Sequence, residues 1–232
     1  MCPYNRQTVT IFDSKLTVFA GLNGSGKTTI AVNAALFLGK KEKNRFDSVL
    51  LADLDIVNPY FRSKDAEKAL LEAGVTFISS EYAGSGLEAP SLPEAVEQIF
   101  TSSGQIIIDV GGDEAGSTVL GRYSKEILMV EDRQFYLVFN PYRLLTQTVA
   151  DTMELLRGIE HVSRIPFTGI LYNPNLGIIT TAEDVRRKLP IAFELAKETN
   201  LPLVATCVMS HLAPHLQDAE NLFCLDPVFG GQ

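Results

Sequence analysis

One segment near the start of the chain has residue types and spacing suited to binding a phosphate group. Residues 21–28 read Gly-Leu-Asn-Gly-Ser-Gly-Lys-Thr, which fits the pattern G-x-x-x-x-G-K-[ST]. Glycines let such a backbone curl so that successive N–H groups point at phosphate oxygens. Lys27 can then reach the β- and γ-phosphates, where it is a candidate catalytic group, and the Thr28 hydroxyl can ligate Mg²⁺. The predicted phosphate-contacting residues are Gly21, Leu22, Asn23, Gly24, Ser25, Gly26, Lys27, Thr28 and Thr29.

Two acidic elements elsewhere in the chain have the chemistry to accompany a bound phosphate. One apolar run ends in Asp53 and Asp55, whose side chains lie on the same side of an extended chain because they are two residues apart. A second apolar run ends in Asp109 and is followed by glycines. An aspartate there can hold Mg²⁺ through water, and the N–H of Gly112 can approach a γ-phosphate without obstruction by a side chain. The predicted metal-binding residues are therefore Thr28, Asp55 and Asp109.

The elements that must position these groups are short apolar runs that alternate with longer helical patterns. This alternation is typical of an α/β fold in which helices cover both faces of a mostly parallel sheet. We predict a single domain over residues 1–232 with about seven or eight strands, and ligands bind at the carboxyl ends of strands in such sheets. The predicted strands are Leu16–Ala20, Val49–Ala52, Val75–Ser79, Gln105–Val110, Phe135–Phe139, Thr168–Tyr172 and Leu203–Val208. The predicted helices are Lys27–Leu38, Lys64–Ala73, Pro93–Phe100, Thr146–Gly158 and Ala182–Thr199.

The charge and cysteine content exclude several classes of protein. The 232 residues carry a formal net charge of −8, which argues against a broad surface for nucleic acid or anionic lipid. Three scattered cysteines are too few for a disulfide framework and indicate a reducing, cytoplasmic setting. Charged residues interrupt the first twenty positions, so no signal peptide or membrane span is predicted there. We expect a soluble protein with no nucleic-acid or membrane partner.

In three segments the chain resembles the MinD/ParA/Mrp group of P-loop ATPases and the related CobQ/CobB nucleotide-binding domains. The segments are GLNGSGKTT at Gly21–Thr29, DLDIVNP at Asp53–Pro59 and DVGG at Asp109–Gly112. They cover the first half of the chain, whereas the second half agrees only in its strand–helix alternation. The resemblance implies a P-loop NTPase fold that binds ATP and Mg²⁺. It also implies that Asp55 acts on the attacking water as a catalytic residue and that Asn173 recognises adenine.

The chain departs from this family at two positions of the phosphate-binding loop. Leu22 occupies the place of a signature lysine that reaches the partner's nucleotide across a dimer, and Asn23 replaces the glycine that usually follows it. Either another basic residue supplies that charge, with Arg62 the nearest candidate, or hydrolysis is slow. Asn173 is followed by Pro-Asn-Leu rather than by the rest of a guanine-reading NKxD motif. This difference favours ATP over GTP.

Three functions are compatible with these residues. The first is an ATPase that acts as a nucleotide-dependent switch on a protein partner, with a possible nucleotide-dependent homodimer. The second is an ATP-dependent small-molecule kinase or carboxylate-activating enzyme whose acceptor pocket includes Ser80–Leu92. That segment contains no Lys or Arg, which favours the switch. The third is an ATP-binding regulatory protein with negligible turnover. A MinD-like membrane anchor is not expected, because the end of the sequence is acidic and interrupted by proline.

Overall fold

The computed structural model describes residues 11–41, 45–54, 63–79, 99–112, 114–219 and 221–227. Within these ranges eight strands form one sheet in the order β3-β2-β4-β1-β5-β6-β7-β8, and all seven neighbouring pairs are parallel. The strands are β1 (Leu16–Ala20), β2 (Val49–Asp53), β3 (Val75–Ser79), β4 (Gln105–Asp109), β5 (Arg133–Phe139), β6 (Gly169–Tyr172), β7 (Leu203–Met209) and β8 (Leu222–Leu225). The predicted α/β class and strand number are confirmed, and β8 is the strand that the sequence patterns did not reveal.

Six α-helices connect these strands in the described part of the chain. They are α1 (Lys27–Gly39), α2 (Ser63–Glu72), α3 (Glu114–Arg122), α4 (Ser124–Met129), α5 (Val149–Ser163) and α6 (Ala182–Thr199). Short 3-10 turns occupy Leu144–Thr146, Gly177–Ile179 and Ser210–His215. Helices α3 and α4 were not predicted. Helix α5 begins later than predicted because Thr148 caps it by accepting a hydrogen bond from the Asp151 N–H. Residues 99–101 are helical, and the rest of the predicted Pro93–Phe100 helix lies outside the described residues.

The helices cover both faces of the sheet, as the continuous apolar strands predict. Helices α1 and α2 pack on one face, where Phe19 of β1 contributes to a buried aromatic cluster with Phe12 and Phe223. Buried side chains of α3, α4, α5 and α6 pack on the other face. Val18, which precedes Phe19 in β1, points to that face. Every residue of β1 is buried because alternate side chains enter two separate cores. None of the helices in the described part of the chain is both long and apolar enough to cross a bilayer.

The strand order brings the predicted functional segments to one edge of the sheet. The chain leaves the central strand β1 toward β2 on one side and later continues to β5 on the other side. Strand β4 lies directly beside β1, so the loops that follow both strands meet at their carboxyl ends. Such a crossover point is where open α/β sheets bind ligands. The fold therefore places residues 21–28 and 109–112 next to each other.

Candidate functional site

The loop between β1 and α1 has the backbone shape of a phosphate-binding loop. Gly24 and Gly26 have left-handed conformations with φ of 75° and 95°, which are unfavourable for residues with a side chain. A hydrogen bond of 3.0 Å from the Ser25 N–H to the Leu22 carbonyl closes a turn inside the loop. Helix α1 begins directly after Gly26, at Lys27. Its first N–H groups and positive N-terminal dipole therefore face the concave side, which suits an anion.

Lys27 folds back over the loop that precedes it. Its side chain is buried, and Nζ donates a hydrogen bond of 3.2 Å to the Leu22 carbonyl. A buried ammonium group in this position concentrates positive charge at the loop in a chain whose net charge is −8. Thr28 is the next residue of α1 and is half-buried, with its hydroxyl available as a ligand for Mg²⁺. The arrangement fits the predicted roles of both residues.

Gly112, in the turn after β4, approaches the loop so closely that a side chain would not fit. A Cβ on this residue would lie 2.5 Å from the backbone nitrogen of Asn23 and 2.7 Å from Nζ of Lys27. Real Cβ atoms do not approach other heavy atoms so closely. The turn after β4 thus meets the two groups that face the terminal phosphate in a P-loop. Two of the predicted site segments are therefore in close contact here.

Two carboxylates lie side by side at the carboxyl edge of the sheet. Asp53 ends β2 and Asp109 ends β4, and the two residues are Cα partners in the pairing of these strands. Both are buried, and the Leu54 N–H donates a hydrogen bond of 2.9 Å to the Asp109 carbonyl, which continues the pairing past the strand end. Asp109 therefore lies where a Mg²⁺ ligand is expected. The predicted catalytic Asp55, the predicted Arg62 and the segment Ser80–Leu92 lie outside the described residues.

Asn173, directly after β6, lies against the phosphate-binding loop. Its side chain is 1% exposed, and Nδ2 donates a hydrogen bond of 2.6 Å to the Ser25 carbonyl. A Cβ on Gly26 would overlap this amide nitrogen, so the two residues are in close contact. Oδ1 of Asn173 has no hydrogen-bond partner among the residues that the structure describes. The predicted adenine contact stays a prediction, since Oδ1 is buried in this structure.

Arg143 also contacts the phosphate-binding loop, which the sequence did not predict. It lies in the connection between β5 and α5, and its Nε donates a hydrogen bond of 2.7 Å to the Gly24 carbonyl. The guanidinium group is exposed and lies next to the Cα of Gly24, since a Cβ there would be 3.3 Å from Cζ. The one signal for Arg143 in the sequence was its place as a basic residue shortly after a central strand. Nothing local in the sequence connects it to a loop 119 residues earlier.

The connection that carries Arg143 is held by side chains on both sides. Buried Asn140 donates through Nδ2 to the Asn175 carbonyl at 2.9 Å, and its Oδ1 accepts a hydrogen bond from the Tyr142 N–H at 3.1 Å. The Tyr142 hydroxyl donates to the carbonyl of Asp184 in the first turn of α6 at 2.9 Å. Hydrogen bonds from Thr181 hold the pKa of the Asp184 carboxyl below its usual range. The connection is thus fixed to the loop after β6 and to the start of α6.

The residues at this edge fit a nucleoside triphosphate with Mg²⁺. The left-handed glycines, the N-terminus of α1, Lys27 and Arg143 can hold phosphate oxygens. Thr28 and Asp109 are the described residues that can serve a Mg²⁺ ion, because hydroxyl and carboxylate oxygens are its usual protein ligands. Such an ion would neutralise phosphate charge while the loop orients the phosphates.

Comparisons with known proteins agree with this fold. No protein-family model matches the sequence, and no curated protein matches it significantly. Among solved structures, FlhF complexed with GMPPNP and Mg²⁺ has a TM-score of 0.54 and 15% identity, covering 84% of this chain and 66% of that chain. FlhF complexed with GTP and Mg²⁺ has a TM-score of 0.52 and 14% identity, covering 82% of this chain and 64% of that chain.

A third similar structure is the signal recognition particle receptor FtsY from Elizabethkingia anophelis. Its TM-score is 0.50 at 16% identity, and the match covers 82% of this chain and 57% of that chain. The chain therefore spans 57% to 66% of the length of these three proteins. None of them is a MinD/ParA ATPase, so the resemblance that the sequence suggests is confirmed at the level of the fold and not for that particular group. The chain shares the α/β fold of these proteins.

Proposed function

We propose that the chain binds Mg²⁺ and ATP and acts as a nucleotide-dependent switch on a protein partner. The observation that carries this proposal is the contact of Gly112 with Asn23 and Lys27. A γ-phosphate held by the loop lies beside this contact, so the turn after β4 gains or loses a partner as the phosphate comes and goes.

Several observations support a nucleoside triphosphate with Mg²⁺ as the ligand. The similar FlhF structures hold GMPPNP or GTP with Mg²⁺. The proposed phosphate and metal contacts are Lys27 and Thr28 at the start of α1 and Asp109 at the end of β4. The proposal of ATP rather than GTP rests on the sequence after Asn173, which is Pro-Asn-Leu and lacks the aspartate that reads guanine in NKxD motifs. The predicted role of Asp55 in hydrolysis belongs to the same proposal.

A protein partner is supported by exposed apolar side chains on two loops at the same edge of the sheet. Leu144 and Leu145 follow Arg143 and are 83% and 62% exposed, while Ile178 and Ile179 follow β6 and are 90% and 69% exposed. The two loops are tied together by the hydrogen bond from Asn140 to Asn175. Exposed apolar groups that cluster beside a ligand site are typical of interaction surfaces. We propose that a second copy of the chain binds this surface when ATP is present.

Isothermal titration calorimetry tests the nucleotide. Wild-type protein should bind ATP with Mg²⁺ more tightly than GTP with Mg²⁺, and Lys27→Ala should lose binding because its ammonium is the cation placed over the loop. Lys197→Ala is the matched control, since Lys197 is exposed in the last turn of α6, away from the site edge. Tighter binding of GTP would replace ATP in the proposal. Binding of neither nucleotide, or unchanged binding by Lys27→Ala, would overturn it.

Light scattering tests the second copy. With Asp55→Ala to block hydrolysis and with Mg-ATP present, the mass should double. Adding Ile178→Asp should restore the monomer without changing nucleotide affinity, because this side chain is the most exposed of the four. A mass that stays monomeric with saturating nucleotide would exclude the homodimer and leave a different protein as the partner.

A further inference from the structure

We propose that Arg143 binds the terminal phosphates of the nucleoside triphosphate that its own chain holds. This inference rests on the proposed nucleotide binding and names a residue that neither the motif nor the fold assigns. Arg143 lies in the connection between β5 and α5, outside the three segments that carry the resemblance.

The first argument is the position of the guanidinium group on the rim of the phosphate-binding loop. Its Nε donates to the Gly24 carbonyl at 2.7 Å, while Cζ and Nη1 would lie 3.3 Å and 3.6 Å from a Cβ on Gly24. The group therefore lies flat against a glycine whose missing side chain leaves room for it. The two Nη groups make no hydrogen bond to any residue that the structure describes, so their N–H donors remain for a ligand.

The second argument is which phosphates this position serves. Gly24 is adjacent in the chain to Asn23, whose backbone nitrogen meets Gly112 together with Nζ of Lys27. In the proposed site, this meeting point lies beside the γ-phosphate, which the loop lysine contacts. A cation seated on the neighbouring residue of the loop is thus next to the terminal phosphates, where negative charge accumulates during phosphoryl transfer.

The third argument is that the connection is fixed before any ligand binds. Asn140 is 1% exposed and makes hydrogen bonds on both sides of its amide, to Asn175 and from the Tyr142 N–H. Thr146 closes the turn by donating its hydroxyl to the Asn140 carbonyl at 2.6 Å. A cation held in this way loses less conformational freedom on binding than a free surface arginine. Its fork of donors also suits phosphate oxygens better than the point charge of a lysine.

The experiment compares a triphosphate with a diphosphate by calorimetry. AMPPNP and ADP, each with Mg²⁺, are titrated into the wild-type protein and into Arg143→Ala and Arg143→Lys. Arg143→Ala should weaken AMPPNP binding about 10- to 100-fold, the effect of one or two charge-assisted hydrogen bonds, and ADP binding by less than about threefold. Arg143→Lys should keep part of the preference for the triphosphate, because it keeps the charge but loses the fork.

The matched control is Arg157→Ala. Arg157 is exposed on α5 and lines a groove with Glu198 and Leu201, next to the amino end of β7 and thus at the opposite edge of the sheet. The Arg157→Ala substitution removes the same charge from the protein and should change neither the AMPPNP affinity nor the ADP affinity.

Two results would overturn the inference while leaving the proposed function intact. If Arg143→Ala binds AMPPNP as the wild type does, Arg143 has no contact with the phosphates. If it weakens AMPPNP and ADP equally, Arg143 only braces the backbone at Gly24. Lys27→Ala is measured in the same series to separate the test of Arg143 from the test of the proposed function. If Lys27→Ala binds neither nucleotide, the site itself is correct. A wild-type protein that binds neither nucleotide would overturn both proposals.

Discussion

Asn173 and Ser25 are joined by a hydrogen bond of 2.6 Å between the side-chain amide after β6 and a carbonyl of the phosphate-binding loop, 148 residues earlier in the chain. Both residues are buried, so the bond is shielded from water. An amide that is fixed to the loop in this way couples the position of the loop to the strand that carries the predicted base contact. The site is thus assembled from both halves of the chain.

Replacing Asn173 should weaken both the fold and the nucleotide site. Asn173→Ala leaves the buried Ser25 carbonyl without its donor and should reduce the free energy of unfolding by about 1–3 kcal/mol. Asn173→Asp keeps the size of the side chain but places oxygen against oxygen, so its loss should be at least as large. Urea unfolding measures the stability, and calorimetry measures the nucleotide. Wild-type stability in Asn173→Asp would show that this hydrogen bond does not hold the loop.

The strands were predictable because each one buries both faces. In β1 and β4 every residue is buried, and this produces an unbroken apolar run that periodicity and length identify. Strand β8 was not predicted because its short apolar run, Leu-Phe-Cys-Leu, directly follows an acidic and polar stretch. Its place is instead set by distant contacts. The Asn33 side chain in α1 accepts a hydrogen bond from the Asp226 N–H at 2.9 Å, directly after β8.

Helix α3 was not predicted because its glycines lower the helix propensity of the segment. Gly121 costs about 1 kcal/mol relative to alanine in an isolated helix. In the folded chain, a Cβ at this position would lie 2.5 Å from the Val162 carbonyl in α5. The glycine therefore allows α3 to approach α5, and Leu120 is buried beside it. Tertiary packing outweighs the local preference here, and no local pattern could show that.

The same distinction between local and distant contacts divides the candidate site. The phosphate-binding loop was predictable because its shape depends on eight consecutive residues, including the glycines with positive φ. Asn173 was identified through its position after a late strand. Arg143 was not, because its contact with Gly24 depends on how the connection after β5 is folded and anchored.

Alanine at Gly112 should disturb both the nucleotide site and the fold. Its Cβ would meet the backbone nitrogen of Asn23, which belongs to a loop that cannot move cheaply. We expect a loss of about 1–3 kcal/mol in stability from overpacking and at least a tenfold weaker affinity for AMPPNP. Calorimetry and urea unfolding measure the two effects.

The control for this prediction is Gly158→Ala in the middle of α5. A Cβ there meets nothing within 4 Å, and the position is exposed. Alanine should stabilise the protein by about 0.5–1 kcal/mol because it lowers the entropy cost of forming the helix, with nucleotide affinity unchanged. If Gly112→Ala behaves in the same way, the close approach of the two segments is wrong.

The capping box at the start of α6 should make stability depend on pH. Asp184 Oδ2 accepts hydrogen bonds from the Thr181 N–H at 3.0 Å and from its hydroxyl at 2.6 Å, and these bonds lower the pKa of Asp184. A lowered pKa in the folded state stabilises the protein above the ordinary carboxyl pKa, near 4, and this contribution is lost as the pH falls through the folded-state value.

Thr181→Ala removes the cap and should cost about 1 kcal/mol at pH 7. The difference from the wild type should narrow only below about pH 4, where protonation weakens the bonds to Asp184 in the wild type as well. Urea unfolding at pH 7, 5 and 3.5 measures this. In an Asp184→Asn background, the effect of Thr181→Ala should no longer change with pH. A constant difference in both backgrounds would refute the link between Asp184 and the pH dependence.

Cys207 should be unreactive toward alkylating reagents while the protein is folded. The residue is 1% exposed in β7, and burial raises the pKa of its thiol, which suppresses the reactive thiolate. Iodoacetamide at pH 8 should modify it slowly in buffer and rapidly in urea, as measured by mass spectrometry of the peptide that contains it. Equal rates in both conditions would show that the strand is accessible to solvent.

Asn140 should affect the nucleotide only through Arg143. Asn140→Ala removes the two hydrogen bonds that hold the connection after β5, to Asn175 and from Tyr142. Because both bonds are made by a buried side chain, we expect a stability loss of about 1–3 kcal/mol and a weaker affinity for AMPPNP.

A double-mutant cycle with Arg143→Ala tests whether Asn140 acts through Arg143, since the effects of residues that act through one contact are not additive. If Arg143 is the group that touches phosphate, Asn140→Ala should lower AMPPNP affinity severalfold in the wild-type background and hardly at all in Arg143→Ala. Calorimetry at a temperature where all four proteins are folded measures the four affinities. Additive effects would mean that Asn140 shapes the site by another route. In the Arg143→Ala background the guanidinium group is already absent, so an effect of Asn140→Ala there cannot act through it.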